Sequence, residues 1–178
     1  MHILFLTGNN QKNVEWATLL KQKFQDHGIE GSLVYSDIWK IDKNGDLDME
    51  REFQDAQKIL KNIKEYVICS VSTGGLISLK GIYEKQFLPS KCIFIGIPIV
   101  WGYDRFSHEN AWLNNFNIPS LFIQKISDPI TSAAMLERVL KKHKIQNSRV
   151  HELVGHTHTY NETDEIFKEC MEFLEDGK

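Results

Sequence analysis

The most constraining part of this sequence joins a short apolar run, residues 66–69, to a helix-compatible segment, residues 76–85, through six mostly small residues. These six are Ser70-Val71-Ser72-Thr73-Gly74-Gly75. A buried strand that turns sharply into a helix is typical of a nucleophile elbow, in which a serine hydroxyl projects clear of the sheet. Only small residues fit two positions before and two positions after that serine, because strand and helix pass close together there. The pattern indicates Ser72 as a nucleophile, with a serine at the leading position where glycine is usual.

Short apolar runs alternate with longer amphipathic segments along the whole chain. Strands are predicted at residues 3–6, 32–35, 66–69, 91–98, 121–124 and 150–154. Helices are predicted at residues 14–26, 49–64, 76–85, 108–115, 132–143 and 162–175, and residues 38–48 are predicted as a polar loop with an Asn44-Gly45 turn. This alternation is typical of parallel strands joined by crossover helices. We therefore expect an α/β fold with a single doubly wound, mostly parallel six-stranded sheet and helices on both faces.

Composition and charge limit the classes of function. A chain of 178 residues with 42% apolar content is predicted to form one domain, residues 1–178, around its own core. A net charge of -3, with lysines spread along the chain, predicts neither a nucleic-acid nor a membrane partner. The three cysteines lack metal-ligand spacing, and the apolar start is too short for a signal peptide, so a reducing, cytoplasmic location is expected.

Further candidate groups follow two later strands. Asp128 comes after the run at 121–124, and His156 and His158 come after the final run. The carboxyl ends of parallel strands meet at one edge of the sheet, where open α/β folds bind their ligands. Serine, then acid, then histidine is one of the chain orders of a Ser-His-Asp triad. Asp104 is the alternative acid, either histidine can be the base, and a metal site at the two histidines is disfavoured because suitably spaced further ligands are missing.

These motifs resemble those of compact, nearly lidless members of the α/β-hydrolase superfamily, similar to the small serine hydrolases related to retinoblastoma-binding protein nine. The resemblance rests on the elbow, on the Asp128 loop and on Gly155-His156-Thr157-His158, which resembles the family's Gly-x-x-His turn before the last helix. It implies that His158 is the base. It also implies hydrolysis of an ester, thioester or amide, with Ser72 attacking the carbonyl carbon of a small acyl substrate and Asp128 orienting the histidine. No metal or other cofactor is expected.

The remaining parts of the expected site surround the serine. The backbone N–H of Thr73 and an N–H from the first loop, at Gly8 or Asn9, are the expected oxyanion donors. Trp101 and Tyr103 follow the strand at 91–98 and are expected to line a small, open substrate pocket.

Two other classes of function stay open at this point. The first is a non-catalytic binding module, suggested by the missing elbow glycine and by the unusual first loop. The second is a flavodoxin-like domain that would bind a phosphorylated ligand on the loop at residues 7–10, before the first helix. The sequence predicts no oligomeric state.

Overall fold

The structure is a computed structural model that describes residues 1–8, 10–35, 40–41, 47–105 and 109–176, with side chains at all of these except 40–41, 47, 103–105 and 109–110. The described strands are β1 (His2–Leu6), β2 (Glu30–Val34), β3 (Lys40–Ile41), β4 (Leu47–Asp48), β5 (Tyr66–Val71), β6 (Lys91–Ile95), β7 (Ser120–Lys125) and β8 (Ser148–Leu153). The described helices are α1 (Gln11–Asp26), α2 (Glu50–Leu60), α3 (Gly74–Tyr83), α4 (Ile99–Arg105), α5 (Glu109–Trp112), α6 (Ala133–Lys142) and α7 (Thr163–Glu175).

Six of these strands form one sheet in the order β2-β1-β5-β6-β7-β8, and every pairing within it is parallel. The central strands are apolar on both faces because helices cover both of them. In β1, for example, Ile3 and Leu4 are fully buried although they point to opposite faces. The predicted fold class is confirmed.

Helices lie on both faces of the sheet. The apolar residues of α1 and α7 pack with alternate strand residues in one core. Those of α2, α3, α5 and α6 pack in a second core on the other face. All parallel connections therefore cross over the sheet, and every strand of the sheet ends at the same edge.

Local sequence sets the ends of the first helix. The Asn10 side chain accepts the backbone N–H of Lys12 at 3.0 Å, which caps the start of α1. Gly28 follows the helix with φ of +76°, a conformation that favours glycine and stops the helix where the sequence predicts.

The secondary structure differs from the prediction in two segments, residues 38–48 and the segment that follows β6. Residues 40–41 and 47–48 pair as an antiparallel two-stranded sheet within the segment predicted as loop. The Asn44-Gly45 turn lies outside the described residues. Helix α4 was not expected, and the helix predicted at 108–115 is described only over Glu109–Trp112. Two-residue strands and one- to two-turn helices are too short to produce a recognisable hydrophobic period.

No helix in the described ranges is both long and apolar enough to cross a membrane.

Candidate active site

Ser72 occupies a strained turn between β5 and α3. Its φ is +52°, in the left-handed region that residues other than glycine seldom adopt. Two backbone hydrogen bonds fix this conformation: the Ser72 N–H donates to the Ile95 carbonyl at 2.9 Å, and the Gly75 N–H donates to the Ser72 carbonyl at 2.9 Å. Strained backbone persists only where its surroundings over-determine it, and it is concentrated at functional sites. The turn has the geometry of a nucleophile elbow.

The two small residues that flank Ser72 both lie against neighbouring strands. A Cβ atom at Gly74 would overlap the carbonyl oxygen of Leu6 in β1, so no larger residue fits there without a backbone shift. Ser70 is 1% exposed, and its hydroxyl donates to the Ile93 carbonyl of the adjacent strand at 3.2 Å. The serine that replaces the usual glycine is therefore accommodated with its polar group satisfied.

Three predicted side chains meet beside this turn. The Ser72 Oγ lies 2.9 Å from His158 Nε2, and His158 Nδ1 lies 2.8 Å from Asp128 Oδ2. Asp128 follows β7 and is fully buried, whereas His158 follows β8 and its side chain is 18% exposed. The three groups come from the carboxyl ends of three parallel strands, as their positions in the sequence indicate. A hydroxyl, an imidazole and a carboxylate in this order can move a proton from the serine to the histidine.

The carboxylate of Asp128 is held by hydrogen-bond donors on both oxygens. Oδ1 accepts the backbone N–H groups of Ile130 and Thr131, at 2.8 Å and 3.3 Å. Oδ2 accepts the hydroxyl of Tyr160 at 2.8 Å, in addition to His158. Burial acts to raise the pKa of Asp128, but these hydrogen bonds and the positive charge of His158 act more strongly, and its net pKa lies below the ordinary value. Asp128 is therefore ionised at neutral pH.

His156 is the competing base, and Asp104 is the competing acid. His156 is exposed, two residues before the histidine that contacts Ser72. Asp104 lies in α4, and its side chain is outside the described part of the structure. Among the described residues, no group of three or more His, Cys, Asp or Glu side chains lies close enough together to hold a metal ion.

The first loop lies against the elbow. Gly8 has φ of +67°, and a Cβ atom there would overlap the Thr73 hydroxyl, so its backbone lies directly beside the start of α3. This is the region in which a second oxyanion donor is expected, but Asn9 lies outside the described residues. Asn10 caps α1 through Lys12, which satisfies one of the N–H groups that a phosphate-binding loop would offer.

A cavity of about 540 Å³ contains Ser72 and His158. Its other lining residues come from the end of β5, from the start of α1 and from the segment before α7: Val71, Asn10, Lys12, Asn13, Glu15, Trp16, Leu19, Thr159, Tyr160, Asn161 and Thr163. Residues of α1 therefore form one wall of the cavity.

Of the two predicted pocket residues, only Trp101 has a described side chain. Trp101 is half-buried, packs against the core beneath α2, α3 and α6, and is not among the lining residues of the cavity at Ser72. Three residues lie between the end of β6 at Ile95 and the start of α4 at Ile99, and within α4 Trp101 packs against the core. The side chain of Tyr103 is outside the described part. Trp16 is the aromatic residue that the sequence did not single out, because its spacing from Leu20 is that of an ordinary helix core face.

Comparisons with known proteins give structural similarity at low sequence identity. No family model matches the sequence, and no curated protein matches it significantly. A predicted CIB-like hydrolase from Thermoplasma acidophilum has a TM-score of 0.72 and 15% identity, over 97% of this chain and 85% of that one. The esterase Pf2001 of Pyrococcus furiosus has a TM-score of 0.70 and 16% identity, over 97% of this chain and 81% of that one.

An uncharacterized protein from Bacillus cereus ATCC 10987 has a TM-score of 0.72 and 19% identity, over 99% of this chain. The present chain spans 60% of the length of that protein. At these identities the similarities establish a shared fold, and activity has to be argued from the site itself.

Proposed function

We propose that this chain, which has the α/β-hydrolase fold that its sequence predicts, is a serine hydrolase for small acyl substrates. The observation that carries the proposal is the continuous hydrogen-bonded series from Ser72 through His158 to Asp128. The finer resemblance, to the hydrolases related to retinoblastoma-binding protein nine, stays a prediction.

The reaction begins with attack of the Ser72 hydroxyl on the carbonyl carbon of the substrate. His158 Nε2 takes the hydroxyl proton, and the charge of Asp128 stabilises the imidazolium that forms. The N–H of Thr73, together with an N–H of the Gly8-Asn9 loop, stabilises the oxyanion of the tetrahedral intermediate. The leaving group departs with the proton from His158, and an acyl ester on Ser72 remains.

Hydrolysis of the acyl-enzyme repeats the same proton movements with water. His158 removes a proton from the attacking water, the second tetrahedral intermediate collapses, and Ser72 recovers its proton as the acid leaves. Nucleophile, base and oxyanion donors are all groups of this chain, so no cofactor takes part in the proposed route.

The cavity supports a small substrate. A volume of about 540 Å³ beside Ser72 accommodates a short acyl group and its leaving group. Trp16 and Val71 provide apolar contact beside Ser72, and Asn13 and Asn161 provide polar groups. We propose an ester or a thioester as the preferred substrate, ahead of an amide, since alcohols and thiols are better leaving groups than amines. All three cysteines are buried and unpaired, which supports a reducing, cytoplasmic location.

Hydrolysis of a substrate panel tests the proposal. Short-chain 4-nitrophenyl esters, thioesters and anilides are incubated with the wild-type chain, with Ser72→Ala and with Ser127→Ala, a matched control at an exposed serine beside the site. We expect ester turnover by the wild type and by Ser127→Ala, and a loss of about a thousandfold or more in Ser72→Ala. Turnover that survives in Ser72→Ala contradicts the proposal, and so does a wild type inactive on the whole panel.

A further inference from the structure

The hydroxyl of Tyr160 lies between a backbone N–H and the acid of the site. It accepts the N–H of Lys125, the last residue of β7, at 3.1 Å, and it lies 2.8 Å from Asp128 Oδ2. Tyr160 is 5% exposed. Its hydroxyl is therefore a buried bridge between the end of a strand and the carboxylate.

The direction of each hydrogen bond in this bridge is fixed by chemistry. A backbone N–H can only donate, so the Tyr160 oxygen accepts from Lys125 and its single proton points to Asp128. Asp128 is acceptor-only because it is ionised. His158 Nδ1, on the same Oδ2, must therefore carry a proton, which leaves Nε2 free to accept from Ser72.

The position of Tyr160 is itself fixed by its neighbours. A Cβ atom at Gly96, where φ is +60°, would overlap the Tyr160 ring, so the ring lies directly on the backbone after β6. The Lys125 ammonium lies 5.3 Å from the centre of the same ring. That ammonium also pairs with Glu162 at 2.7 Å and donates to the Thr159 carbonyl, which joins the His158 loop to β7.

We propose that Tyr160 is a positioning residue whose hydroxyl sets the orientation and the charge density of the Asp128 carboxylate, and through it the proton affinity of His158. The inference rests on the proposed function, because it concerns the same site. The charged or titratable groups that face Tyr160 are Asp128, His158, Lys125 and Glu162.

The consequence is a defined change at His158 when the hydroxyl is removed. In Tyr160→Phe, Oδ2 of Asp128 keeps His158 as its only donor among the described groups, so more negative charge faces the imidazole. The midpoint of the His158 titration should therefore move to higher pH than in the wild type, because the carboxylate that faces the imidazolium has lost a hydrogen-bond donor. The substitution leaves the charges of Lys125 and Glu162 in place, although the backbone N–H of Lys125 loses its acceptor.

An NMR titration of histidine side chains in the full chain measures this change without substrate. The His158 signal is assigned by its loss in His158→Gln. The matched control is Tyr66→Phe, since Tyr66 is also buried and also accepts a backbone N–H, that of Leu88 at 2.7 Å. Tyr66 lies in the first position of β5, at the opposite edge of the sheet from Asp128.

A second test strengthens the tyrosine hydroxyl as a donor instead of removing it, and so leaves the packing around Tyr160 nearly unchanged. Growth on 3-fluorotyrosine makes every tyrosine hydroxyl a stronger donor, so the His158 titration should move to lower pH, opposite in sign to Tyr160→Phe. A His158 titration that is unchanged in both forms overturns the inference, and so does an equal shift in Tyr66→Phe. Because the titration needs no turnover, it gives the same answer whether or not the substrate panel supports the proposed function.

Discussion

Replacing Asp128 with asparagine should remove nearly all activity while preserving the fold. The two side chains have almost the same shape, so the substitution changes charge and hydrogen-bonding pattern rather than packing. Asp128 is fully buried and hydrogen-bonded on both oxygens, so the site has little freedom to adapt.

The structure indicates which way the asparagine amide will lie. The position of Oδ1 faces the backbone N–H groups of Ile130 and Thr131 and must hold the amide oxygen, because two donors cannot face each other. The NH₂ group then takes the place of Oδ2, where it faces His158 Nδ1 and donates to it, and the hydroxyl proton of Tyr160 must turn away from it. His158 is left with its proton on Nε2, where it donates to Ser72 instead of accepting. A histidine held in this tautomer lowers the rate by about 10⁴ in other triads, and we expect a loss on the order of 10³ to 10⁴ here.

The assay is kcat/KM on a short-chain ester from about pH 6 to about pH 10, with circular dichroism as the check on folding. Partial recovery at the alkaline end is expected, where other routes to an activated serine open. Asp104→Asn is the control for the alternative acid and should stay close to the wild type. A folded Asp128→Asn that keeps activity within about tenfold of the wild type would refute the argument, and a folded but inactive Asp104→Asn would move the acid to α4.

The stability of Asp128→Asn should also depend on pH differently from that of the wild type. The pKa of Asp128 is lower in the folded state than in the unfolded state. Its contribution to stability is therefore present above the unfolded pKa, about 4, and is lost as the pH falls through the folded value. The melting temperature of the wild type should decline more steeply on acidification than that of Asp128→Asn. If the melting temperatures of both proteins declined equally on acidification, the result would contradict the claim that ionised Asp128 stabilises the folded state.

Five other substitutions test three separate parts of the site. His158→Ala should lower turnover about a thousandfold or more and His156→Ala far less, measured as kcat on the same ester; equal losses would show that the base is misassigned. Trp16→Ala should raise KM about tenfold by removing a cavity wall, whereas Trp101→Ala should lower the melting temperature and leave KM unchanged; the reverse pattern would restore the pocket expected from the sequence. Gly74→Ala should give a protein without ester turnover, because its methyl group would overlap a carbonyl oxygen of β1, and wild-type activity would exclude the elbow geometry.

The arrangement of Ser72, Asp128 and His158 could be predicted because a parallel topology determines which ends of the strands lie together. Each residue directly follows an apolar run, and the carboxyl ends of parallel strands must meet at one edge. Predicting that these three residues meet required only the type and the order of the strands and helices. Those features are encoded locally, by strand-length apolar runs, by caps such as Asn10 and by helix ends such as Gly28.

Contacts that depend on tertiary packing were not predictable in the same way. Tyr160 is separated from Asp128 by 32 positions, and only the fold shows that its hydroxyl meets the carboxylate. Trp16 and Trp101 both have helix-like surroundings in the sequence, and which of them lines the cavity depends on where α1 and α4 lie relative to the sheet edge. The leading elbow serine is explained only by the neighbouring strand, whose carbonyl accepts its hydroxyl.

The most direct test of the central claim is reaction of the whole chain with a fluorophosphonate, followed by intact mass spectrometry and peptide mapping. The account predicts a single adduct on Ser72, formed by the folded wild type and by Ser127→Ala, and absent from Ser72→Ala and from heat-denatured protein. A folded wild type that takes up no label would contradict the claim that Ser72 is an activated nucleophile. Labelling of Ser72→Ala at an undiminished rate would contradict it as well, and would place the reactive group elsewhere in the chain.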